Sequence, residues 1–588
     1  MRLFPVLPAA LFAALGVAAA PSPAWAESPV VLEGADEDTR RAILDLLPDR
    51  DHPESLFDAE RIAEEAAARA LVWLRSEGYY AATVTPQARD EPPSARLIIE
   101  LGPRFAFDPP RIAYAGAPPA ADAADAVQQA IAGVRPGDPA RAATVLEAEA
   151  NALLALQEAG YADAAAGERR VIVDHASARM TAEYSFSTGD RARLGGIVAE
   201  PPDLFRESFV DSLQNWDTGD TYTPDALSRL RRDISSTGAV SRATTRLAPP
   251  DENGVRDVVV EVEPARRNAY ELGLGYSTTE GLGVEAQWTR RNFSRRADAL
   301  TISTSLGEIQ QDVTLALTRP HAAGLGHSIT FGAAAEREDT DAYTRQGVAL
   351  YGSVDASTRL RLGRSYGLRL SADSYDDLAG GNVTDALVLS GFYDLRNDST
   401  GFSLDPTDGS IAELRVEPSV SAGDATLGFV RLTAEGRIYE SFGENDRLTL
   451  AARLRTGWLE AVAGSPDDVP PDRRFYAGGG GSVRGYDYNS IYPGERDVLG
   501  LSPGGQGLVE GSIEARWRFD DRFGAAVFLD GGTAFDDWGD AGDLSFGVGV
   551  GARYNLGFAP LRVDVAFPLD DEESSDDFAL YISIGQAF

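Results

Sequence analysis

The second half of this chain reads as strands and turns without a helical pattern, and this feature limits the possible folds more than any other. Sixteen candidate strands lie between Asn268 and Phe588, joined alternately by short turns and longer polar loops. From Gln506 to Arg518 the residues alternate in character, as they do when successive side chains of a strand point to opposite faces of a sheet. The region therefore predicts an all-β antiparallel sheet that closes on itself.

We expect this sheet to be a transmembrane barrel. In a soluble sandwich the polar face would be the outer one. Strands of ~9–14 residues, an even strand count and aromatic residues near strand ends are instead typical of outer-membrane barrels. The last predicted strand places one apolar set on a single face: Phe578, Leu580, Ile582, Ile584 and Phe588. Charged side chains would then face a polar lumen.

A long connection, roughly Ala461 to Gly505, separates two of these strands. A loop of this length without its own pattern is usually functional or disordered, and its aromatic residues argue against disorder. Gly478–Gly481 permit tight turns, and Arg484 follows between Val483 and Gly485. A buried or half-buried arginine requires a carboxylate, which its planar guanidinium binds through two hydrogen bonds.

The carboxylate that we predict for Arg484 is Asp530, in the thirteenth strand. Phe523, Ala525, Val527 and Leu529 would form the lipid face of this strand, so that Phe528 and Asp530 point inward. We expect the loop to fold into the lumen, with Phe528 beside the ion pair. Glu510 or Glu514 would be a second acceptor. Alternatively, Arg484 stays in solvent and Asp530 meets Arg516 or Arg518.

The N-terminal residues 1–26 resemble a secretory signal. Arg2 precedes an apolar stretch, and Ala24-Trp25-Ala26 fits a small-x-small cleavage site. A membrane anchor is the alternative, which the short run and its prolines disfavour. No later run reaches the ~18 apolar residues of a transmembrane helix. We therefore expect an exported protein whose membrane spans are strands.

Three similar modules are predicted between the signal and the barrel. Helical patterns cover Asp58–Glu77, Asp138–Ala159 and Thr223–Thr237, and the first residue of each is the expected N-cap. A glycine closes each pattern: Gly78, Gly160 and Gly238. β-rich runs follow each helix, which favours three α+β modules over one continuous α/β domain. Their sheet edges could accept an extended peptide as an added strand.

The composition excludes several classes of function. The chain has no cysteine and no lysine, and all 54 of its basic residues are arginines. Thiolate metal sites, lysine-containing phosphate loops and Schiff bases are therefore excluded. A formal net charge of −37 disfavours a nucleic-acid partner. His321 and His327 lack the glutamate of a metalloprotease motif. We expect no enzymatic activity, no metal site and no cofactor.

Three motifs and the last strand carry a resemblance to a known family. They are Val483-Arg484-Gly485-Tyr486, matching a VRG[FY] loop motif; Phe528-Leu529-Asp530-Gly531-Gly532, matching an FxDxG strand motif; Asp405-Pro406-Thr407-Asp408-Gly409, matching a DPxxG turn; and the Phe588 strand, matching a targeting signature. With these motifs the chain resembles the outer-membrane assembly superfamily that includes BamA, TamA and the two-partner secretion transporters. The resemblance implies POTRA domains at 27–103, 104–191 and 192–265 and a sixteen-stranded barrel at 266–588. Three POTRA domains with sixteen strands is the TamA-like arrangement.

The resemblance also implies a function in the outer membrane of a Gram-negative bacterium, with the N-terminal domains in the periplasm. The protein would insert or export β-barrel and autotransporter-type proteins through a lateral seam between its first and last strands. Residues expected at the seam are Gly273, Gly275, Gly585 and Phe588. Unfolded outer-membrane proteins, the lipid bilayer and a TamB-like inner-membrane-anchored protein would be the partners. A two-partner-type secretion channel for one exoprotein and a passive porin remain alternatives.

Overall fold

A computed structural model describes residues 30–48, 50–357, 362–377, 383–401, 403–424, 426–443, 446–494, 501–570 and 577–588. The predicted signal peptide, residues 1–26, lies outside these residues. The chain divides into two compact units, one formed by residues up to 192 together with 221–224 and the other by the remainder.

The first unit contains two α+β modules. In the first module, β1 (Val30–Glu33) runs parallel to β3 (Ser94–Glu100), which pairs antiparallel with β2 (Thr83–Arg89). Helices α1 (Glu37–Asp45) and α2 (Leu56–Ser76) complete it. The elements of the second module are β4 (Ala106–Phe107), β5 (Arg111–Tyr114), α3 (Ala121–Ala130), α4 (Ala142–Glu158), β6 (Ala165–Ala166), β7 (Arg170–Asp174) and β8 (Arg179–Ser187). All four other strands of this module pair with β8.

The second unit begins with a third module of the same kind. Its elements are β9 (Arg193–Glu200), α5 (Glu207–Ser212), α6 (Pro224–Ser235), β10 (Val240–Leu247) and β11 (Val255–Pro264). The sheet order is β10-β11-β9, with β11 parallel to β9 and antiparallel to β10. Each module thus contains a helix pair, of which the sequence analysis predicted only the second member.

The predicted glycine ends of the helices are confirmed, but two predicted N-caps are wrong. Gly78, Gly160 and Gly238 have φ angles of 98°, 98° and 69°. The N-cap of α2 is Ser55, whose side chain accepts from the Asp58 N–H. Helix α4 starts only at Ala142, because the backbone of residues 137–140 is hydrogen-bonded to that of residues 105–107.

The rest of the second unit is a closed barrel of sixteen antiparallel strands. The strands are β12 (Asn268–Ser277), β13 (Gly281–Arg291), β14 (Ala299–Leu306), β15 (Gln310–Arg319), β16 (His327–Asp339), β17 (Tyr343–Ser357), β18 (Leu362–Asp377), β19 (Asp385–Asp398), β20 (Gly409–Gly423), β21 (Leu427–Phe442), β22 (Leu448–Ala463), β23 (Gly507–Arg518), β24 (Phe523–Phe535), β25 (Ser545–Asn555), β26 (Pro560–Pro568) and β27 (Ala579–Ile584). The predicted fold class, with its strand count, is confirmed.

Alternating burial assigns the two faces of the barrel wall. On β23, Ile513 and Trp517 are exposed on the outside, while Glu510 and Glu514 are buried inside. This arrangement gives lipid an apolar surface and keeps charged groups in the lumen, as in known transmembrane barrels. Among the described helices, none combines the length and the apolar character that a membrane crossing requires.

Candidate functional site: the lumen loop and the barrel seam

The connection between β22 and β23, residues 464–506, is called the lumen loop here because its Val483–Tyr486 motif packs against inward-facing side chains of the wall. Two short 3₁₀ turns, Pro466–Asp468 and Pro471–Arg473, lie in its first part. Val483, Arg484 and Tyr486 are almost fully buried. The described part of the loop that carries this motif is therefore packed in the barrel interior.

Arg484 and Asp530 form the ion pair that the sequence predicts. Arg484 Nε donates to Asp530 Oδ2 at 2.7 Å and Nη2 donates to Oδ1 at 3.0 Å. The backbone N–H of Arg484 donates to the same carboxylate at 3.2 Å. Both side chains are buried, at 2% and 1% exposure. This bidentate geometry is the strong form of an arginine–carboxylate interaction.

Two further carboxylates bind the other side of the guanidinium. Arg484 Nη1 donates to Glu514 at 3.1 Å and to Asp564 at 3.0 Å. Glu514 is also paired with Arg516 and Arg553, and Asp564 with Arg553 and Arg562. We call these seven side chains the arginine cluster: Arg484, Glu514, Arg516, Asp530, Arg553, Arg562 and Asp564. Such a network compensates buried charges that would be costly alone.

The neighbours of Arg484 in the motif fit matching recesses of the wall. The ring of Phe528 lies under the guanidinium, 3.4 Å from its carbon. Gly532 makes room for Val483, because a Cβ there would lie 3.0 Å from the valine side chain. Gly485 has a φ of 103°, and the Tyr486 hydroxyl donates to the Phe546 carbonyl at 2.9 Å. Each motif residue therefore has a distinct contact.

Of the two alternatives predicted for the second acceptor, the structure shows Glu514 in contact with Arg484, and it adds other partners. Glu510 does not contact Arg484; it pairs with Arg453 at 3.0 Å and Arg455 at 3.4 Å and accepts a hydrogen bond from Ser482. Glu510 lies two inward positions before Glu514 on β23, with Ser512 between them, so it reaches a different set of arginines. Asp564 and Arg562 were missed, although they alternate with apolar residues on β26 as Asp530 does on β24.

A second ion-paired contact holds the first part of the lumen loop. Asp472 accepts hydrogen bonds from Arg345 on β17 at 2.6 Å and from the hydroxyl of Tyr375 on β18 at 2.7 Å. Arg345 is also close to Asp373, at 3.5 Å. The loop is thus fixed to opposite parts of the wall, through β17–β18 and through β23–β26.

The junction of β12 and β27, called the seam here, is the least extensively paired in the barrel. Its register contains three pairs, Gly275↔Ser583, Tyr276↔Ile582 and Ser277↔Tyr581. By comparison, β12 and β13 are paired along ten residues. Gly275 thus lies in the paired part of the seam, whereas Gly273 lies outside it, opposite Glu285 of β13.

The last residues of the chain depart from the predicted strand. β27 ends at Ile584, and Gly585 follows with a φ of 100°. Phe588 does not share the lipid face as expected, since it is buried with Ile411, Tyr439 and Ala451. The left-handed glycine ends the strand and turns the chain inward. Phe588 therefore packs inside the barrel and contributes no strand pair to the seam.

The DPxxG turn holds this inward tail. The side-chain amide of Gln586 donates to Asp405 at 2.8 Å, and the Gln586 N–H donates to the Leu404 carbonyl at 3.3 Å. Arg516 donates to the main-chain oxygen of Phe588 at 3.1 Å. The turn motif, the tail and the arginine cluster are therefore connected. No group of three or more potential metal-ligating side chains occurs in the parts of the chain that the structure describes.

A closed sixteen-stranded barrel with a long loop fixed in its lumen, preceded by three α+β modules, defines a class of outer-membrane barrel proteins. The model of the Omp85 superfamily domain matches residues 292–588. The chain belongs to the Omp85 superfamily. Family membership and the barrel support an outer-membrane location.

Comparisons with individual proteins agree with this family. The outer membrane protein assembly factor BamA of Nitratidesulfovibrio vulgaris is 24% identical over 425 residues, which cover 69% of this chain. The chain spans 52% of that relative's length. The crystal structure of BamA from Haemophilus ducreyi lacking POTRA domains 1–3 has a TM-score of 0.67 at 17% identity, covering 82% of this chain and 100% of that one. This likeness concerns the fold.

Proposed function

We propose that this protein inserts or exports β-barrel and autotransporter-type proteins through the seam between β12 and β27. One observation carries the proposal: the strand register of the seam contains three residue pairs, and the Asn268–Leu274 part of β12 has no paired strand on that side among the described residues. A barrel edge that pairs so briefly can separate at a lower cost than any other junction of the wall.

The free part of β12 supplies what an incoming strand needs. Unpaired N–H and C=O groups on a strand edge are a template for pairing with another chain. Tyr270, Leu272 and Leu274 are exposed on the outer face, so a strand added there would continue the lipid-facing surface. Insertion by strand exchange requires no nucleotide and no catalytic group, and we accordingly propose that the protein is not an enzyme.

The three N-terminal modules, proposed as POTRA domains at 27–103, 104–191 and 192–265, would lie in the periplasm. Edge strand β7 supports a role in receiving unfolded substrates, since Val171 and Ile172 are 40% and 43% exposed. An extended chain could pair with such an edge. We propose unfolded outer-membrane proteins as substrates and a TamB-like inner-membrane-anchored protein as partner, with a TamA-like role overall.

Deletion of the gene tests this function against its alternatives. Cells without the protein should lose surface display of an autotransporter and accumulate less folded outer-membrane barrel protein. The loss of one large exoprotein alone would instead indicate a two-partner-type secretion channel. If autotransporter display and exoprotein secretion both persist and only solute uptake changes, the protein is a passive porin. Complementation with the wild-type gene is the control.

A further inference from the structure

The tip of the lumen loop touches both strands of the seam. The N–H of Gly480 donates to Glu280 Oε1 at 2.7 Å, and Glu280 belongs to the turn that follows β12. The N–H of Gly485 donates to the hydroxyl oxygen of Tyr581 on β27 at 3.1 Å. Hydrogen bonds from one loop thus end on the two sides of the weakest junction in the barrel.

The glycines at the tip are required by the closeness of this contact. A Cβ at Gly480 would lie 2.9 Å from the ring of Tyr581, and one at Gly479 would lie 2.9 Å from Glu280 Oε1. Gly479 also has a φ of 98°. Two neighbouring glycines of the run from Gly478 to Gly481 therefore permit the backbone to approach the seam, in addition to permitting turns.

The loop contacts the seam where its two strands are paired. Tyr581 is itself the register partner of Ser277. Beyond this pair, the Thr278 N–H donates to the Leu580 carbonyl at 3.0 Å, and the Leu580 N–H donates to Thr278 Oγ1 at 3.0 Å. A cavity of about 440 Å³ lies on the lumen side, lined by residues of β12, β27 and the loop tip.

We propose that the tip of the lumen loop, from Gly478 to Gly485, keeps the seam closed, and we call this tip the clasp. Glu280 and Tyr581 are its positioning residues. This inference rests on the proposed function, because it concerns how the substrate gate is held. Since Gly485 directly follows Arg484, the arginine cluster fixes the position of the clasp. Separating the two strands must break at least one of the two hydrogen bonds to the tip. Movement of the loop is thereby coupled to opening of the seam.

The absence of cysteine allows a direct measurement of seam closure. Gly275→Cys with Ser583→Cys places two thiols at a register pair, and a Cβ at Gly275 meets no atom closer than 3.7 Å. The protein is reconstituted in proteoliposomes without substrate. The ratio of disulfide to dithiol in glutathione buffers then reports how often the strands lie side by side.

The clasp is broken by Glu280→Gln with Tyr581→Phe. We expect the disulfide-to-dithiol ratio to fall about tenfold, the change expected when two hydrogen bonds of ordinary net strength are weakened or lost. The matched control, Glu440→Gln with Tyr393→Phe, makes the same two types of substitution on β21 and β19. It should leave the disulfide-to-dithiol ratio at the seam unchanged. If the double variant does not become a heat-modifiable barrel, Tyr581→Phe alone should give about a threefold fall.

A second thiol pair separates a clasp from general loosening. Ala334→Cys with Ala349→Cys joins β16 and β17, away from the seam, and its ratio should not respond to the clasp variant. An unchanged ratio at the seam, or an equal fall at both pairs, would overturn the proposal. The clasp is tested by disulfide formation in proteoliposomes without substrate, whereas the proposed function is tested by autotransporter display in cells. The two proposals can therefore fail separately.

Discussion

Replacing Arg484 by glutamine should release the lumen loop from the wall. Arg484 is the one cation in ion-pair contact with Asp530 among the described residues, and Asp530 is 1% exposed. The substitution leaves that carboxylate buried without a cation, which typically costs about 3–5 kcal/mol. Glu514 and Asp564 are affected less, because each keeps other arginine partners.

The same structure predicts an order among the related variants. Asp530→Asn should cost only about 1–2 kcal/mol, because Arg484 keeps Glu514 and Asp564. The double variant Arg484→Gln/Asp530→Asn should be more stable than Arg484→Gln alone, since no unpaired carboxylate remains at 530. A charge swap, Arg484→Asp with Asp530→Arg, should rescue only in part, because the new carboxylate at 484 would face Glu514 and Asp564.

Limited trypsin digestion measures the release of the loop. Trypsin cleaves this lysine-free chain only after arginine, and Arg473 and Arg474 lie in the lumen loop, packed inside the barrel. Cleavage there should be roughly a hundred- to a few-thousand-fold faster in Arg484→Gln. The loss of about 3–5 kcal/mol of binding to the wall raises the population of the released loop by that factor. Cleavage at the wild-type rate, or an equal effect of Asp530→Asn, would refute the reasoning.

Two other predictions concern different parts of the molecule. Gly547→Ala should displace the lumen loop and speed the same tryptic cleavage, because its Cβ would lie 1.9 Å from the Arg484 carbonyl oxygen, whereas Gly436→Ala, with no atom within 4 Å, should not. In the second module, burial raises the pKa of Tyr184 from 10.0 to about 12. The stability that neutral Tyr184 contributes is therefore present below pH 10 and lost as the pH rises towards 12. Urea titrations of the 222 nm helix signal between pH 9 and 12 should show this loss in the wild type and much less of it in Tyr184→Phe; equal slopes would contradict it.

The barrel and the ion pair between Arg484 and Asp530 could be predicted because both follow from the alternation of apolar and polar residues along single strands. The inward direction of Asp530 is fixed once Val527 and Leu529 are assigned to the lipid face. The set of partners could not be predicted in full. Which inward charges a long loop reaches depends on strand register and on the path of the loop, and neither is encoded in a local pattern. Asp564 was therefore missed, and the choice between Glu510 and Glu514 as the second acceptor stayed open until the structure showed Glu514 on Arg484.

The ends of elements were predicted less well, for physical reasons that the structure makes clear. Gly585 lies in a stretch with strand character, and its left-handed conformation, which turns Phe588 inward, depends on contacts with the DPxxG turn. Helices α1, α3 and α5 have only nine, ten and six residues, too few for a clear helical period. These helices are stabilised by packing in their modules more than by their own sequence.

A reversible lock on the seam tests the central claim most directly. The protein carrying Gly275→Cys and Ser583→Cys is placed in proteoliposomes, and the folding of an added outer-membrane barrel substrate is followed by its heat-modifiable form. With the disulfide formed, we predict folding no faster than in liposomes without the protein, and reductant should restore the rate of the wild type. Full activity with the seam locked would contradict insertion between β12 and β27.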